Sequence, residues 1–136
     1  MESNWKIAVA VRDDLAAWQK LNVVAFVSSG LASAHAEILG DPYVDGSGRS
    51  YPSVFAMPVR VMAGDRAGIR RAFDRAVERG VTVSVYTDDM FSTMNDRDNR
   101  AAVLAAGTTD LSVAGFAVAG DGKQVDKVFD KLRPHP

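Results

Sequence analysis

The sequence predicts an α/β domain with three layers, a four-stranded mixed sheet carrying helices on both faces. Three observations lead there. Short valine-rich apolar runs alternate with longer stretches of helical periodicity, in the order strand, helix, strand, helix, strand, short helix, strand, helix. The runs are of strand length and bounded by charge or glycine, which suits strands buried on both faces. A chain of 136 residues, 47% hydrophobic and 24% charged, suits one globular domain over 1–136.

Ile7-Ala8-Val9-Ala10-Val11 is the first strand, closed by Arg12-Asp13-Asp14. From Leu15 the chain turns helical, and Val23, Phe26, Val27, Gly30, Leu31, Ala34 and Ile38 form one apolar stripe, with Asn22 as a candidate cap. Gly40-Asp41-Pro42 is the expected exit. Residues Asp41 to Ser53, with two prolines and an Asp45-Gly46 turn, read as a variable or mobile loop. Pro58 confines the second strand to Val59–Met62. Asp65 caps a helix to Arg79, and Gly80 ends it. Val81 to Tyr86 alternates as a third strand, followed by a polar helical segment from Met94 to Ala106. Leu111 to Ala119 is the fourth strand. Gly120-Asp121-Gly122 then turns the chain into a helix from Lys123 to Leu132, stopped by Pro134.

Composition excludes several functions. Sixteen Lys and Arg against seventeen Asp and Glu give a net charge of -1, which argues against a general polyanion binder but leaves a local basic patch open. The absence of cysteine removes disulfides, a thiol nucleophile and cysteine-ligated metals. Two histidines, His35 and His135, offer little for a metal site, and no cofactor is expected. Met1 to Lys6 has no signal-peptide pattern, and Val23–Leu39 is too short and polar to span a bilayer. A soluble cytoplasmic protein is the expectation.

In an α/β sheet a ligand belongs at the carboxyl ends of the strands, here Arg12-Asp13-Asp14, Thr87-Asp88-Asp89 and Gly120-Asp121-Gly122. Asp88 and Asp89 admit two readings. A partly desolvated carboxylate there acts as a general base, whereas a solvated one merely finishes a turn or caps the next helix. Ser28, Ser29 and Ser33 beside Gly30 point to close helix–sheet packing; a nucleophilic serine lacks its flanking glycines. Gly120-Asp121-Gly122 offers backbone N–H groups to an anion or is simply a turn. Arg71, Arg75 and Arg79 line one helix face with Asp74 and Glu78 at pairing distance, either a phosphate-tracking stripe or a salt-bridged surface.

Several stretches resemble known proteins. Val59-Arg60-Val61-Met62-Ala63, the helix to Gly80 and Val81 to Asp88 resemble the centre of the type-two peptidyl-tRNA hydrolases. Val9 to Leu15 is similar to that family's first strand and its exit, and Val113-Ala114-Gly115-Phe116 with Asp126-Lys127-Val128 to its end. Leu15 to Phe26 resembles, more closely still, the bacterial family labelled domain of unknown function 2000. The resemblance covers almost the whole chain and implies the hydrolase fold without a settled activity. Against the hydrolases' Gly-Lys-x-Ala-Ala-Gln-x-x-His-Ala motif, Asn22 stands at the lysine, Phe26 at the glutamine and Ser29 at the histidine, with Lys20 partly replacing the amine. Asp88 matches that family's aspartate and Thr93 its threonine, while Ala117-Val118-Ala119 replaces a Gly-Pro-Gly. A carboxylate without its amine and amide partners does not readily keep the same chemistry.

Three functions follow as expectations. The first is a small-ligand binding domain, with Asp88, Asn22, Ser29, Asp89 and Thr93 around the inherited cleft. The second is a divergent peptidyl- or acyl-ester hydrolase, in which Asp88 orients water and Lys20 or Asn22 polarises the carbonyl; tRNA is the disfavoured partner. The third is a homodimeric structural domain joined through Ser29, Gly30, Ser33 and Ala34.

Overall fold

The structure, a computed structural model, describes residues 4–136. Among these residues the chain forms β1 (Trp5–Arg12), α1 (Ala17–Ala34), β2 (Tyr43–Val44), β3 (Ser50–Tyr51), β4 (Val59–Gly64), α2 (Arg66–Glu78), β5 (Thr82–Thr87), α3 (Asp96–Leu104), β6 (Val113–Asp121), α4 (Gly122–Phe129) and β7 (Arg133–Pro134). Short 3-10 turns occupy Ala36–Ile38 and Asp88–Phe91. No helix among the described residues is long and apolar enough to cross a membrane.

The main sheet has five strands, not four, in the order β5-β6-β1-β4-β7. The addition is β7, which pairs antiparallel with β4 through Met62–Pro134 and Ala63–Arg133. Proline has no N–H to donate, so it both stops a helix and tolerates an edge strand; the second role depends on the tail folding back. The backbone N–H of His135 donates to Val61 O at 2.9 Å, so the tail is tied to β4.

Strand β1 runs parallel to β4 and antiparallel to β6, which in turn runs antiparallel to β5. The carboxyl ends of β1, β4 and β5 therefore share one edge with the start of β6. Gly120-Asp121-Gly122 falls at the opposite edge from Arg12 and Asp88, correcting the expected convergence of all three segments. It is also not a turn: Gly120 and Asp121 complete β6, and the Asp121 carboxylate accepts from Gln124 N at 3.4 Å as α4 begins.

Alternate residues of β1 divide the core. Ile7, Val9 and Val11 meet Val23, Val27 and Leu31 of α1. Ala8 and Ala10 face the other layer, with Phe116, Ile69, Phe73 and Phe129. Helix α1 begins five residues before Asn22, with Ala16 as its N-cap, so Asn22 is not the cap. Ala17 to Leu21 are adequate helix formers, so the helix expected from Leu15 starts two residues later and runs through Asn22. The helix ends at Ala34, and Ile38 is buried in the following 3-10 turn. A Cβ on Gly30 would lie 2.9 Å from Ser84 Cβ, so this glycine lets α1 approach β5 within the same chain.

Asp65 caps α2 by accepting from Gly68 N at 2.7 Å, and Gly80 takes a φ of 68°, both as expected. Of the arginine stripe, Arg75 and Arg79 are tied to α4, by a backbone carbonyl and by the Gln124 side chain at 2.9 Å, and the neighbouring Arg70 to the loop before β6. Arg75 donates to Val128 O at 2.8 and 3.1 Å, and Arg70 to Leu111 O and Thr108 O. Arg70 also pairs with Asp74 at 2.7 Å. Arg75 thus ties α2 to the last turn of α4, where helix-terminal carbonyls lack partners, and Arg70 ties it to the loop before β6.

The segment expected as a mobile loop is an antiparallel hairpin. Tyr43 and Val44 pair with Tyr51 and Ser50, and the Leu39–Phe55 bridge closes its base. Asp45 builds the tip: its carboxylate accepts from Ser47 N, Arg49 N and the Tyr51 hydroxyl at 2.8–3.0 Å.

One consequence concerns β6. A Cβ on Gly115 would lie 2.6 Å from both Ala10 O and Val23 Cγ1, whereas one on Gly46 meets nothing within 4 Å. Gly115→Ala is expected to lose about 1–3 kcal/mol in urea unfolding, against a change within about 0.5 kcal/mol for Gly46→Ala.

Candidate functional site

Two features occupy the edge where β1, β4 and β5 end. The first is an ion network centred on Arg12, the last residue of β1, whose residue is only 4% exposed. Its Nη1 reaches both oxygens of Asp88 at 2.7 and 2.9 Å, and its Nε donates to Asp14 Oδ1 at 2.9 Å. The Ser112 hydroxyl, just before β6, donates to the same Asp88 carboxylate. Arg66, opening α2, stands 3.6 Å from Asp88 and 3.3 Å from Ser112 Oγ. Both oxygens of Asp88 are therefore engaged by Arg12, and one is shared with Ser112.

Burial pushes the Arg12 guanidinium down, but hydrogen bonds to Asp14 and Asp88 outweigh it and leave the group above its ordinary value. The hydrogen bond from Arg12 holds the Asp14 carboxyl below its ordinary 3.8, against a smaller opposing effect of burial. A guanidinium stripped of water, as that of Arg12 is, is retained only when paired in this way.

The second feature is a cleft of about 420 Å³ between the first half of α1 and the segment running from the 3-10 turn at Asp88–Phe91 into α3. Its walls are aromatic. Tyr86 packs against Phe91 at 4.9 Å and Phe26 at 5.6 Å, while Trp18 meets Phe91 edge-on at 6.0 Å. Its polar groups are amides and hydroxyls: Asn22 Nδ2 donates to the Tyr86 hydroxyl at 3.1 Å, and the Thr93 hydroxyl bridges Met90 O and the Asn99 side chain. Burial pushes the Tyr86 phenol above its ordinary value, with the Asn22 hydrogen bond working weakly the other way. The one acidic lining residue, Asp96, pairs with Arg100 at 2.7 Å. With its carboxylate already matched, the cleft offers aromatic faces and neutral donors and acceptors.

The six residues singled out from sequence fall in different places. Asn22 and Thr93 meet in the cleft. Asp88 follows Tyr86 by two residues but belongs to the Arg12 network, and Asp89 is exposed on the 3-10 turn. Lys20 lies across α1 from Asn22, its Nζ 3.3 Å from His135 Nε2. Side chains two positions apart on a helix are rotated by about 200°, so Lys20 and Asn22 fall on different flanks of α1. Ser29 is exposed, and its hydroxyl donates to Phe26 O at 2.6 Å.

The family model described as a protein of unknown function (DUF2000) matches residues 5–136. The chain belongs to the DUF2000 family. A solved structure of a protein of unknown function from Agrobacterium tumefaciens strain C58 is 41% identical, with a TM-score of 0.94, covering 99% of this chain and 100% of that one. Among curated proteins no significant match is found.

In this DUF2000 chain, sequence reasoning missed Ser112, Tyr86 and the Trp18–Phe91 wall. One signal was available for Arg12: a cation directly following a buried strand needs a carboxylate partner, and Asp88 ends another strand. Nothing comparable marked Ser112, because its role depends on β6 running antiparallel.

Removing the shared cation should show. Arg12→Met is expected to cost about 3 kcal/mol in denaturant unfolding, and Arg12→Met/Asp88→Leu to recover part of it, since the loss comes from a stranded carboxylate. The Asp14 contribution has a definite sign. Its lowered value stabilises the fold above about pH 4, and that contribution is lost as pH falls through the folded-state value. Asp14→Asn is expected to flatten the stability–pH curve below pH 4 relative to the parent, measured by urea unfolding at stepped pH.

Proposed function

We propose that this protein binds an uncharged, planar small molecule, a heteroaromatic amide or a compound of that shape, in the cleft between α1 and α3. The observation that carries the reading is the pairing of aromatic walls from Trp18, Tyr86 and Phe91 with neutral groups from Asn22, Thr93 and Asn99. Asn22 spends its amide N–H on Tyr86, which leaves its carbonyl to accept from a ligand. A cleft of this volume, apolar with a few convergent polar groups, is the usual form of a small-molecule site.

Ester hydrolysis is supported less well. Asp88 is held by Arg12 and Ser112, so its oxygens are not free to take a proton from water, and Lys20 projects to the other flank of α1. A tRNA substrate is supported least, because Arg70 and Arg75 are spent on carbonyls of their own chain. The type-two peptidyl-tRNA hydrolase likeness is part of this reading as a fold proposal alone.

Trp18, 62% exposed at the cleft wall, provides the reporter. Nicotinamide and a panel of neutral heteroaromatic amides are expected to change its fluorescence saturably. Asn22→Leu should weaken binding about tenfold, the cost of one lost hydrogen bond. If no member of the panel binds the parent more tightly than Asn22→Leu, the reading falls.

A further inference from the structure

The geometry points to a homodimer formed by reciprocal exchange of the β2–β3 arm into an apolar groove beside α1 of the second copy. The inference is independent of the cleft reading, which concerns the other flank of α1.

Three observations converge. First, one face of the sheet is under-covered. A helix about 10 Å across covers about two strands spaced about 4.8 Å apart, so five strands call for two helices per face. Helices α2 and α4 share one face; on the other, α1 is the one helix over β1, β5 and β6, joined by Ile38, Phe55 and Met57 from the segment before β4. Between α1 and the β4 side runs a groove of about 510 Å³, floored by Leu21, Val24 and Ala25 of α1 with Val11 and Val61 of the sheet. Leu21 is 71% exposed there. A helix that is apolar nearly all round, as α1 is, belongs in an environment buried on more than one side.

Second, the arm is ordered yet packs on nothing. Every residue of 41–52 is exposed, including Tyr43, Val44 and Tyr51. Asp45 nevertheless rigidifies its tip through three hydrogen bonds. An isolated two-stranded hairpin is marginal in water, so a pre-built arm of this kind calls for a surface to lie on.

Third, the charges match. The groove's charged or titratable side chains are Lys20 and His135, with no acid among its lining residues. The arm carries two acids, Asp41 and Asp45, against one base, Arg49. Each chain thus has one arm and one groove of complementary character, and a two-fold exchange uses both and closes. Of the small-residue face, Gly30 is spent against Ser84 within the chain, while Ser29, Ser33 and Ala34 are exposed.

Sedimentation velocity at micromolar concentration tests this. The parent is expected at twice the 14.6 kDa chain mass. Leu21→Glu in the groove, and Tyr43→Ser/Val44→Asp in the arm, are each expected to sediment as monomers with unchanged circular dichroism. Mixed together they are expected to recover a dimer, because the intact arm of the first fits the intact groove of the second. A monomeric parent, a larger assembly, or a dimer that survives both variants overturns the proposal. Both variants alter exposed positions; a monomeric parent overturns the proposal by itself, and should Leu21→Glu fail to fold, an arm variant that stays dimeric overturns it alone.

Discussion

The antiparallel placement of β6 between β1 and β5 is the constraint on which the rest of the molecule depends. It is the most deeply buried strand: every residue from Val113 to Gly120 is buried. Because it runs against its neighbours, its first residues arrive at the edge where β1 and β5 end. Ser112 is thereby brought to Asp88, whose own backbone N–H donates to Ser112 O at 2.9 Å. Gly115, further along the same strand, lets both Val23 of α1 and the Ala10 carbonyl of β1 approach where a Cβ would stand.

The ion network and the cleft share this edge but divide its chemistry. Arg12 points to the α2 side, following Ala8 and Ala10 along β1, and takes Asp88 and Asp14 with it. Tyr86 faces the α1 side and floors the cleft. Two residues along β5 and its exit thus separate a satisfied charge cluster from a neutral, aromatic recess. Charge is used here to hold strand ends together, leaving neutral hydrogen bonding and ring stacking to meet a ligand.

Helix α1 serves three surfaces at once, which explains its unusual composition. Val23, Val27 and Leu31 build the core; Trp18, Asn22 and Phe26 line the cleft; Leu21, Val24 and Ala25 line the groove. A helix with one buried stripe would show a clean amphipathic pattern. This one carries apolar residues around most of its circumference, with Asn22 in the cleft and Lys20 in the groove.

Local order was legible from sequence because it depends on neighbours in the chain. The α/β alternation, the cap at Asp65, the left-handed Gly80, the Asp45-Gly46 turn and the importance of the strand-end carboxylates all follow from short-range patterning and backbone sterics. What only the tertiary structure decided depends on strand direction and on helix phase. The antiparallel course of β6 moved Gly120-Asp121-Gly122 to the far edge and put Ser112 in its place. The fold-back of the tail turned Pro134 from a helix stop into a fifth strand. The phase of α1 split Lys20 from Asn22, two residues apart in sequence and on opposite flanks in space. Propensity and periodicity say what a segment becomes; which long-range partners it meets is settled by how the sheet is threaded, and that choice leaves no local mark in the chain.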